Sequence, residues 1–439
     1  MDIMYNADIV VVGAGPAGIS AAISAVRLGK KVVLIDRAKY PGSKNMYGGA
    51  VYSTPLKEVF GPEALKSLPY ERIINSNTWS FLNDEGSFDL TYKNSSSDSA
   101  YAIKRFNLEK WMIEQAKKEG VYYVPNTLVK DLIEDDGYVI GIKTEHEDYF
   151  AKIVILADGV NSFLSHKIGL REDFKPKDML LSAKETLKLD KKSIEERFCL
   201  KEDLSNGVCK MFFGGLKNYK NIFMMTYFYT FKDTLMLGVG ASLEDLKKNK
   251  LNINEVLEEV KKHPDIVPLI KDGTVVEYSA HLIPETGYKK MPKLTANGVM
   301  IVGDAAGFIN SVHSEGTNYA LISGKLAGET AAAAINDYDY SGWNLSLYRK
   351  KLEKSFILKD LYSYRNVVSL LSKRSMSLSY YYPKKIKEFF EIITSANCVS
   401  KSFQIRKFAL SFLKDRNIFE LLKDIKTFLK CGFDVFFGK

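Results

Sequence analysis

The sequence predicts an α/β protein: a mostly parallel sheet wound by helices, interrupted by an inserted α+β domain and followed by a helical C-terminal region. Three observations carry this. Residues 8–13 (DIVVVG), 16–28 and 32–36 (VVLID) read as strand, helix and strand, with Gly29 as the helix stop. Apolar runs at 121–125, 137–143, 152–157 and 298–303 supply more strands, and the last leads into an Ala/Gly-rich helix reaching about 335. Between about 163 and 290 the texture changes to alternating, aromatic-rich strands such as IFMMTYFYT at 222–230, with an amphipathic helix near 253–262. The expected division is a discontinuous dinucleotide-binding domain (1–60, 95–162 and 290–340), a substrate domain (61–94 and 163–289) and a helical region (341–439).

A chain of 439 residues exceeds what one core serves, which agrees with that division. Its 46% hydrophobic and 26% charged residues are those of a folded globular protein. The net charge of +9 is uneven: residues 349–439 hold 20 Lys and Arg against 8 Asp and Glu, an excess of +12, leaving −3 elsewhere. No nucleic-acid motif accompanies this basic end, so no nucleic-acid partner is expected. Cys199, Cys209, Cys398 and Cys431 fit neither a disulfide framework nor metal-ligand spacing, so no metal is expected and the thiols read as buried and cytosolic. Residues 9–26 carry no charge, but Gly13, Gly15, Pro16 and Gly18 break the run and no basic segment precedes it. Neither a membrane span nor a targeting segment is expected.

The chemistry begins at Gly13-Ala-Gly15-Pro-Ala17-Gly18, placed between a buried strand and a helix. Gly13 permits the tight turn, Gly15 lets backbone approach a pyrophosphate, and Gly18 lets helix and strand pack closely. The helix N-terminus offers unpaired N–H groups to phosphates. Asp36, at the end of the second strand, is placed to accept hydrogen bonds from an adenosine ribose; Arg37 beside it would lie near adenine or read a 2′-phosphate. Alone, this unit does not separate FAD from NAD(P).

Two later segments make the separation. LADGVNS at 156–162 puts Asp158 at a strand end, and VMIVGDAAGFIN at 299–310 puts Asp304 at the mouth of a strand. The pair resembles the glutathione-reductase-type FAD-binding, Rossmann-like fold of the hydroxylase and geranylgeranyl-reductase superfamily, in which the second Asp binds the ribityl chain. GSKNMYGG at 42–49, YAIKRFNLEKW at 101–111, HLIPETGY at 281–288 and VHSEGTNYALISGK at 312–325 extend the likeness. Together they resemble FixC-type flavoproteins and electron-transfer-flavoprotein:quinone oxidoreductases. The resemblance implies FAD as cofactor. It also implies that Gly48 and Gly49 run beside the isoalloxazine, that Arg105 binds the pyrophosphate or ribityl region, and that Val129 presents backbone to adenine. Gly316 and Thr317 would start a helix aimed at the flavin N1–C2=O edge, where a helix N-terminus steadies negative charge. A plainer reading of Arg105 is a surface salt-bridge partner. His281, His313 and Glu315 are candidates for catalytic or substrate contact, each weighed against a structural role. Lys184-Glu185 reads as a solvated pair.

Electron-transfer-flavoprotein:quinone oxidoreductases carry clustered C-terminal cysteines for an iron–sulfur cluster, and Cys398 and Cys431 stand apart here. The FixC-type arrangement therefore implies an FAD-dependent electron-transfer oxidoreductase that passes electrons between an electron-transfer flavoprotein and either a quinone or a separate ferredoxin-like protein. Residues 402–437 interleave Phe, Leu and Ile with Lys and Arg at helical spacing. Such a stretch either lies on an anionic membrane, placing a cytoplasmic protein peripherally at the membrane face, or packs onto the FAD domain. Two other activities stay open. One is a geranylgeranyl-reductase-like reductase of isoprenoid double bonds, although that family's cysteine near the flavin is replaced by Tyr47. The other is a flavin monooxygenase, although no second glycine-rich nucleotide motif is present.

Overall fold

The computed structural model describes residues 6–43, 48–83, 86–94, 100–214, 216–220 and 222–437. Two sheets organise them. The first, of eight strands, runs in the order Thr295–Ala296, Val299–Ile301, Asp148–Leu156, Ala7–Val12, Val32–Ile35 and Tyr122–Val124, with the hairpin Val129–Asp135 and Tyr138–Thr144 extending from Asp148–Leu156. Its centre is parallel: Val10 pairs with Val154 on one side and Val33 on the other, and Val154 pairs with Val299. These strands are near-continuous Val/Ile/Leu because both faces of the sheet are covered: Ile9, Val10, Val11, Ile153, Val154 and Ile155 are wholly buried.

The helices Pro16–Arg27 and Thr317–Asn336 lock together through small residues. A Cβ on Gly324 would lie 2.0 Å from the Ala17 carbonyl oxygen, and one on Gly328 would lie 2.2 Å from that of Ala21. Ser20 Oγ donates to the Leu321 carbonyl (2.6 Å) across the same seam. The start of the Thr317–Asn336 helix is thereby fixed against the glycine-rich turn 300 residues earlier in the chain.

The second sheet, of nine strands, runs Thr274–Pro284, Met179–Lys188, Thr234–Ser242, Met224–Thr230, Gly207–Phe213, Arg72–Asn83, Ala100–Lys104 and Gly48–Tyr52, with Gly86–Lys93 paired to Arg72–Asn83. Gly48–Tyr52 and Ala100–Lys104 therefore hydrogen-bond within this sheet, although the expected division placed both with the dinucleotide-binding segments. One face carries Ala183, Leu187, Leu235, Leu237, Val239, Phe212 and Phe228 against the helix Ile253–Lys261, which buries Val256, Leu257 and Val260. Period-2 alternation sends a second set, including Tyr227, Tyr229, Met236 and Cys209, to the opposite face.

Of the two readings of the C-terminal stretch, the structure disagrees with one. Packing of its apolar stripe onto the rest of the protein is not what the structure shows. In Ile418–Phe437 the buried residues are Asp424, Cys431 and Asp434, while Phe419, Leu422, Ile425, Leu429, Phe433 and Phe436 are exposed. The inward carboxylates explain the inversion: Asp424 pairs with Arg416 (2.6 Å) and Arg374 (3.2 Å), and Asp434 with Arg365 (2.7 Å). Charge pairing rather than apolar burial docks this helix. No helix among the described residues is long and apolar enough to cross a membrane. The cysteine expectation also needs correction, since Cys199 and Cys398 are exposed; only Cys209 and Cys431 are buried.

Candidate functional site

The glycine-rich turn has the geometry its residues dictate. Gly13 sits at φ +104, and a Cβ there would lie 2.3 Å from the Ala157 carbonyl oxygen, so the turn and the neighbouring strand end meet backbone to backbone. A Cβ on Gly18 would lie 1.9 Å from the Gly13 carbonyl oxygen. At Gly15 nothing stands within 4 Å, which leaves the backbone open to a ligand at the start of the helix. Ala17 is buried under Gly303 and Gly324. The Ala14 N–H donates to Asp36 Oδ2 (2.7 Å) and the Ala38 N–H to Oδ1 (2.7 Å). Backbone thus aims the Asp36 carboxylate, while Arg37 is exposed.

Other segments converge on the same end of the parallel sheet. Asp158 follows the strand Asp148–Leu156, and its Oδ1 is buried without a hydrogen-bond partner. Burial pushes its carboxyl up to about 6, opposed by two backbone hydrogen bonds and by Arg171 and Arg37. Asp304 lies in the short turn Gly303–Ala306 after Val299–Ile301, and burial raises its carboxyl against the lowering pull of Arg105. The Arg105 Nε donates to Glu109 Oε1 (2.9 Å), with the arginine side chain 17% and the glutamate 1% exposed. This is an internal pair, which corrects the surface reading. Gly316 is the N-cap of Thr317–Asn336 and no side chain caps that helix, so its first N–H groups face the space in front of it. A Cβ at Gly48 would lie 2.5 Å from Phe231 Cζ. Val129 opens the hairpin strand Val129–Asp135, paired with Thr144. Lys44–Tyr47, and with them the Tyr47 that stands where geranylgeranyl reductases carry cysteine, lie outside the described residues.

This set fits FAD. The open backbone at Gly15, the aimed Asp36 carboxylate, the deep carboxyl of Asp304 and the uncapped start of Thr317–Asn336 suit, in turn, a pyrophosphate, a ribose, a ribityl chain and a flavin ring edge. The orphaned oxygen of Asp158 has a measurable consequence. Its folded-state pKa lies above the unfolded value of 3.8, so its contribution to stability is present below about pH 4 and is lost as pH rises through about 6. Asp158→Asn removes that loss: the apoprotein is expected to gain about 2–3 kcal/mol over wild type at pH 7 and nothing at pH 4, by urea unfolding at both pH values.

Facing this end is the second set of side chains on the nine-stranded sheet. Tyr227, Gly238, Lys184 and Ser279 stand opposite one another on four adjacent strands, and Met225, Gly240, Ser182 and His281 form the next row. The Tyr227 ring lies over Gly238, where a Cβ would come within 2.3 Å of it, and its hydroxyl meets Ser182 Oγ at 2.7 Å. Ser314, two residues before the Gly316 cap, reaches Met225 Sδ with its Oγ (3.7 Å). The loop 310–317 and this sheet face therefore bound one chamber. Tyr52 at the sheet's far edge is 42% exposed, and partial burial of its hydroxyl, then Glu315 and Cys209, push that hydroxyl up to about 12.

The structure separates the three acid–base candidates. His281 is solvent-exposed as a residue, while partial burial of its ring and then Lys184 and Arg105 hold the imidazole down to about 4. His313 stacks edge-on against Tyr364 (4.9 Å), and its N–H is oriented by Asn310. Glu315 exchanges backbone hydrogen bonds with Asn310 and accepts from Asn318 Nδ2 (3.0 Å), so both residues shape the loop. Lys184-Glu185 is not a solvated pair: Lys184 is 5% and Glu185 9% exposed. Strand alternation puts them on opposite faces, Glu185 accepting from Lys261 Nζ (2.8 Å) beneath the covering helix and Lys184 turned to the chamber. Ser182, Tyr227 and Tyr52 were missed from sequence and Lys184 was read as half of a solvated pair; the alternation of 179–188 and of 224–230 is the signal that could have placed Lys184, Ser182 and Tyr227 on this face.

Residues 8–159 match the family model described as FAD dependent oxidoreductase. FixC of Bradyrhizobium diazoefficiens is 33% identical over 431 residues, covering 96% of this chain and 98% of that one. FixC of Escherichia coli K12 is 35% identical over 379 residues, covering 85% and 87%. Among solved structures, a geranylgeranyl bacteriochlorophyll reductase-like protein from Thermoplasma acidophilum superposes with a TM-score of 0.71 at 21% identity, over 93% of this chain and 96% of its own. The flavin-dependent brominase Bmp2 gives 0.64 at 15% identity, over 93% and 100%. Both structures share the fold.

Proposed function

The chain belongs to the FixC family of FAD-dependent oxidoreductases, and from that premise we propose that it carries electrons from an electron-transfer flavoprotein to a quinone or to a separate ferredoxin-like protein. The observation that carries this reading is the contact of Ser314, just ahead of the uncapped Thr317–Asn336 helix, with the Tyr- and Met-rich face of the nine-stranded sheet, a wall suited to a flat apolar acceptor. FAD, when bound, supplies the acceptance and release of electrons, while the chain positions it and excludes water. Anaerobic mixing with reduced electron-transfer flavoprotein and a quinone tests the reading. Quinone consumption that depends on this protein is expected; reduction of its flavin by NADPH alone, with no response to the flavoprotein, contradicts it.

The exposed apolar face of Ile418–Phe437 supports a place at the membrane, where a quinone resides. Arg406, Lys407, Lys414, Lys423, Lys426 and Lys430 are exposed on the same two helices, which suits an anionic lipid surface. Flotation is expected with vesicles containing anionic phospholipid, and it should be lost in Leu429→Gln/Phe433→Gln. Equal recovery of both proteins at the bottom of the gradient would remove this placement.

A second reading, reduction of an isoprenoid double bond, is favoured by the same Met- and Tyr-lined wall, which would also hold an apolar chain. A saturated isoprenoid product, formed without quinone, would select it.

A further inference from the structure

We propose that Lys184 is a catalytic acid: it meets a carbonyl oxygen of a quinone in the chamber and passes a proton to it as the electron pair arrives. This rests on the electron-transfer reading and adds the residue that completes the acceptor's chemistry.

Three observations converge on it. Lys184 sits mid-strand with Gly238 on one side and Ser279 on the other, so its position is set by hydrogen bonding along both edges. Its neighbours in the row form the floor on which a ring would lie: the Tyr227 ring over Gly238, held by Ser182, with Met225 beside it under Ser314. The groups that act on it come from the FAD side and from the sheet edge: Arg105 at the start of Arg105–Lys118, whose guanidinium also acts on Asp304, and Glu277 on Thr274–Pro284, the strand whose His281 feels Lys184 and Arg105 in turn. Glu277 is itself held by Thr186 Oγ1 (3.0 Å). Lys184 is thereby coupled to Arg105, which also acts on Asp304, and to the exposed His281 at the sheet edge.

Burying an amine in mid-sheet is costly, and a Thr or Val would suit the strand better. Burial, then Arg105, hold its ammonium down to about 6, opposed by Glu277. That is an acid strength suited to proton transfer near neutral pH. Reduction of a quinone to its hydroquinone consumes two electrons and two protons. The electrons come from the flavin. The reduced flavin, when bound in its anionic form, would supply one of the two protons with its electron pair; the other leaves Lys184 as its Nζ–H bond breaks and an O–H bond forms, and solvent then returns a proton to the amine.

The test uses holoprotein reduced anaerobically with dithionite and mixed with menadione in a stopped-flow instrument from pH 5 to 9. Wild-type reoxidation is expected to slow as pH rises past about 6, a limb that His281, held near 4, does not supply. Lys184→Met, with unchanged FAD content and visible spectrum, is expected to react about 100-fold more slowly and without that limb. Lys184→Arg should restore the apparent affinity for menadione but not the limb. Equal rates in wild type and Lys184→Met, or the same limb in both, overturn the proposal. Should Lys184→Met fail to fold, Lys184→Gln replaces it, and a wild-type profile flat across pH 6 overturns the proposal by itself. Reduced wild type that menadione does not reoxidise at any pH defeats the electron-transfer reading, an outcome recognisable without any variant.

Discussion

Gly13→Val yields a protein without bound FAD, and this is the largest single-residue effect on the cofactor that the structure predicts. A side chain at φ +104 costs about 1–3 kcal/mol in strain alone. Its Cβ would also press to 2.3 Å from the Ala157 carbonyl oxygen, which is backbone and has nowhere to go. The strand ends that carry Gly13 and Asp158 must separate, and the loss of FAD affinity should exceed about 100-fold, since each 1.4 kcal/mol is a factor of ten. Gly15→Ala provides the contrast. No atom lies within 4 Å of its Cβ, so the melting temperature of the apoprotein should stay at the wild-type value while FAD content falls, because the methyl group takes the space of the pyrophosphate. Flavin content and apoprotein melting, measured on both variants, separate a broken turn from a blocked one.

The second large effect is on stability. Arg72 is fully buried in the nine-stranded sheet. Its Nε donates to the Phe231 carbonyl (2.9 Å), Nη1 to the Lys201 carbonyl (3.3 Å) and Nη2 to Glu195 Oε1 (3.1 Å). Arg72→Met keeps most of the volume but strands three acceptors, one of them a carboxylate that is 11% exposed with only Lys191 (3.5 Å) left as an ion partner. A loss of about 3–5 kcal/mol is expected by urea unfolding. Because the ring of Phe231 packs against Gly48, FAD should also dissociate at a lower urea concentration than in wild type. An unfolding midpoint equal to that of wild type would show that Arg72 is dispensable.

What was legible in the sequence was whatever backbone alone dictates. The Gly13–Gly18 turn, the all-apolar strands and the small-residue helix after Asp304 follow from local chemistry, because a parallel strand buried on both faces admits little but Val, Ile and Leu. Of the candidate FAD residues, Gly13, Gly15, Gly18 and Asp36 were legible for the same reason, whereas Gly48, Gly49, Arg105, Val129, Asp158, Asp304, Gly316 and Thr317 were named through the family resemblance. The wall of the chamber was not legible. Lys184 and Glu185 look alike in a charged dipeptide, and only the ladders to Thr234–Ser242 and Thr274–Pro284 show that one faces a helix and the other a recess. The C-terminal helix misled in the other direction. Its apolar stripe has ordinary helical spacing, and nothing local announces that Arg365, Arg374 and Arg416, from elsewhere in the helical region, will pull its acidic stripe inward instead.

The most direct test of the central claim, that separated backbone segments hold one flavin dinucleotide against the Gly13–Gly18 turn, is the absorbance spectrum of the purified protein with analysis of the released cofactor. One FAD per chain, with the visible bands of bound oxidised flavin, is the predicted result. A colourless protein that takes up no added FAD, or one that releases a nicotinamide dinucleotide, would contradict it.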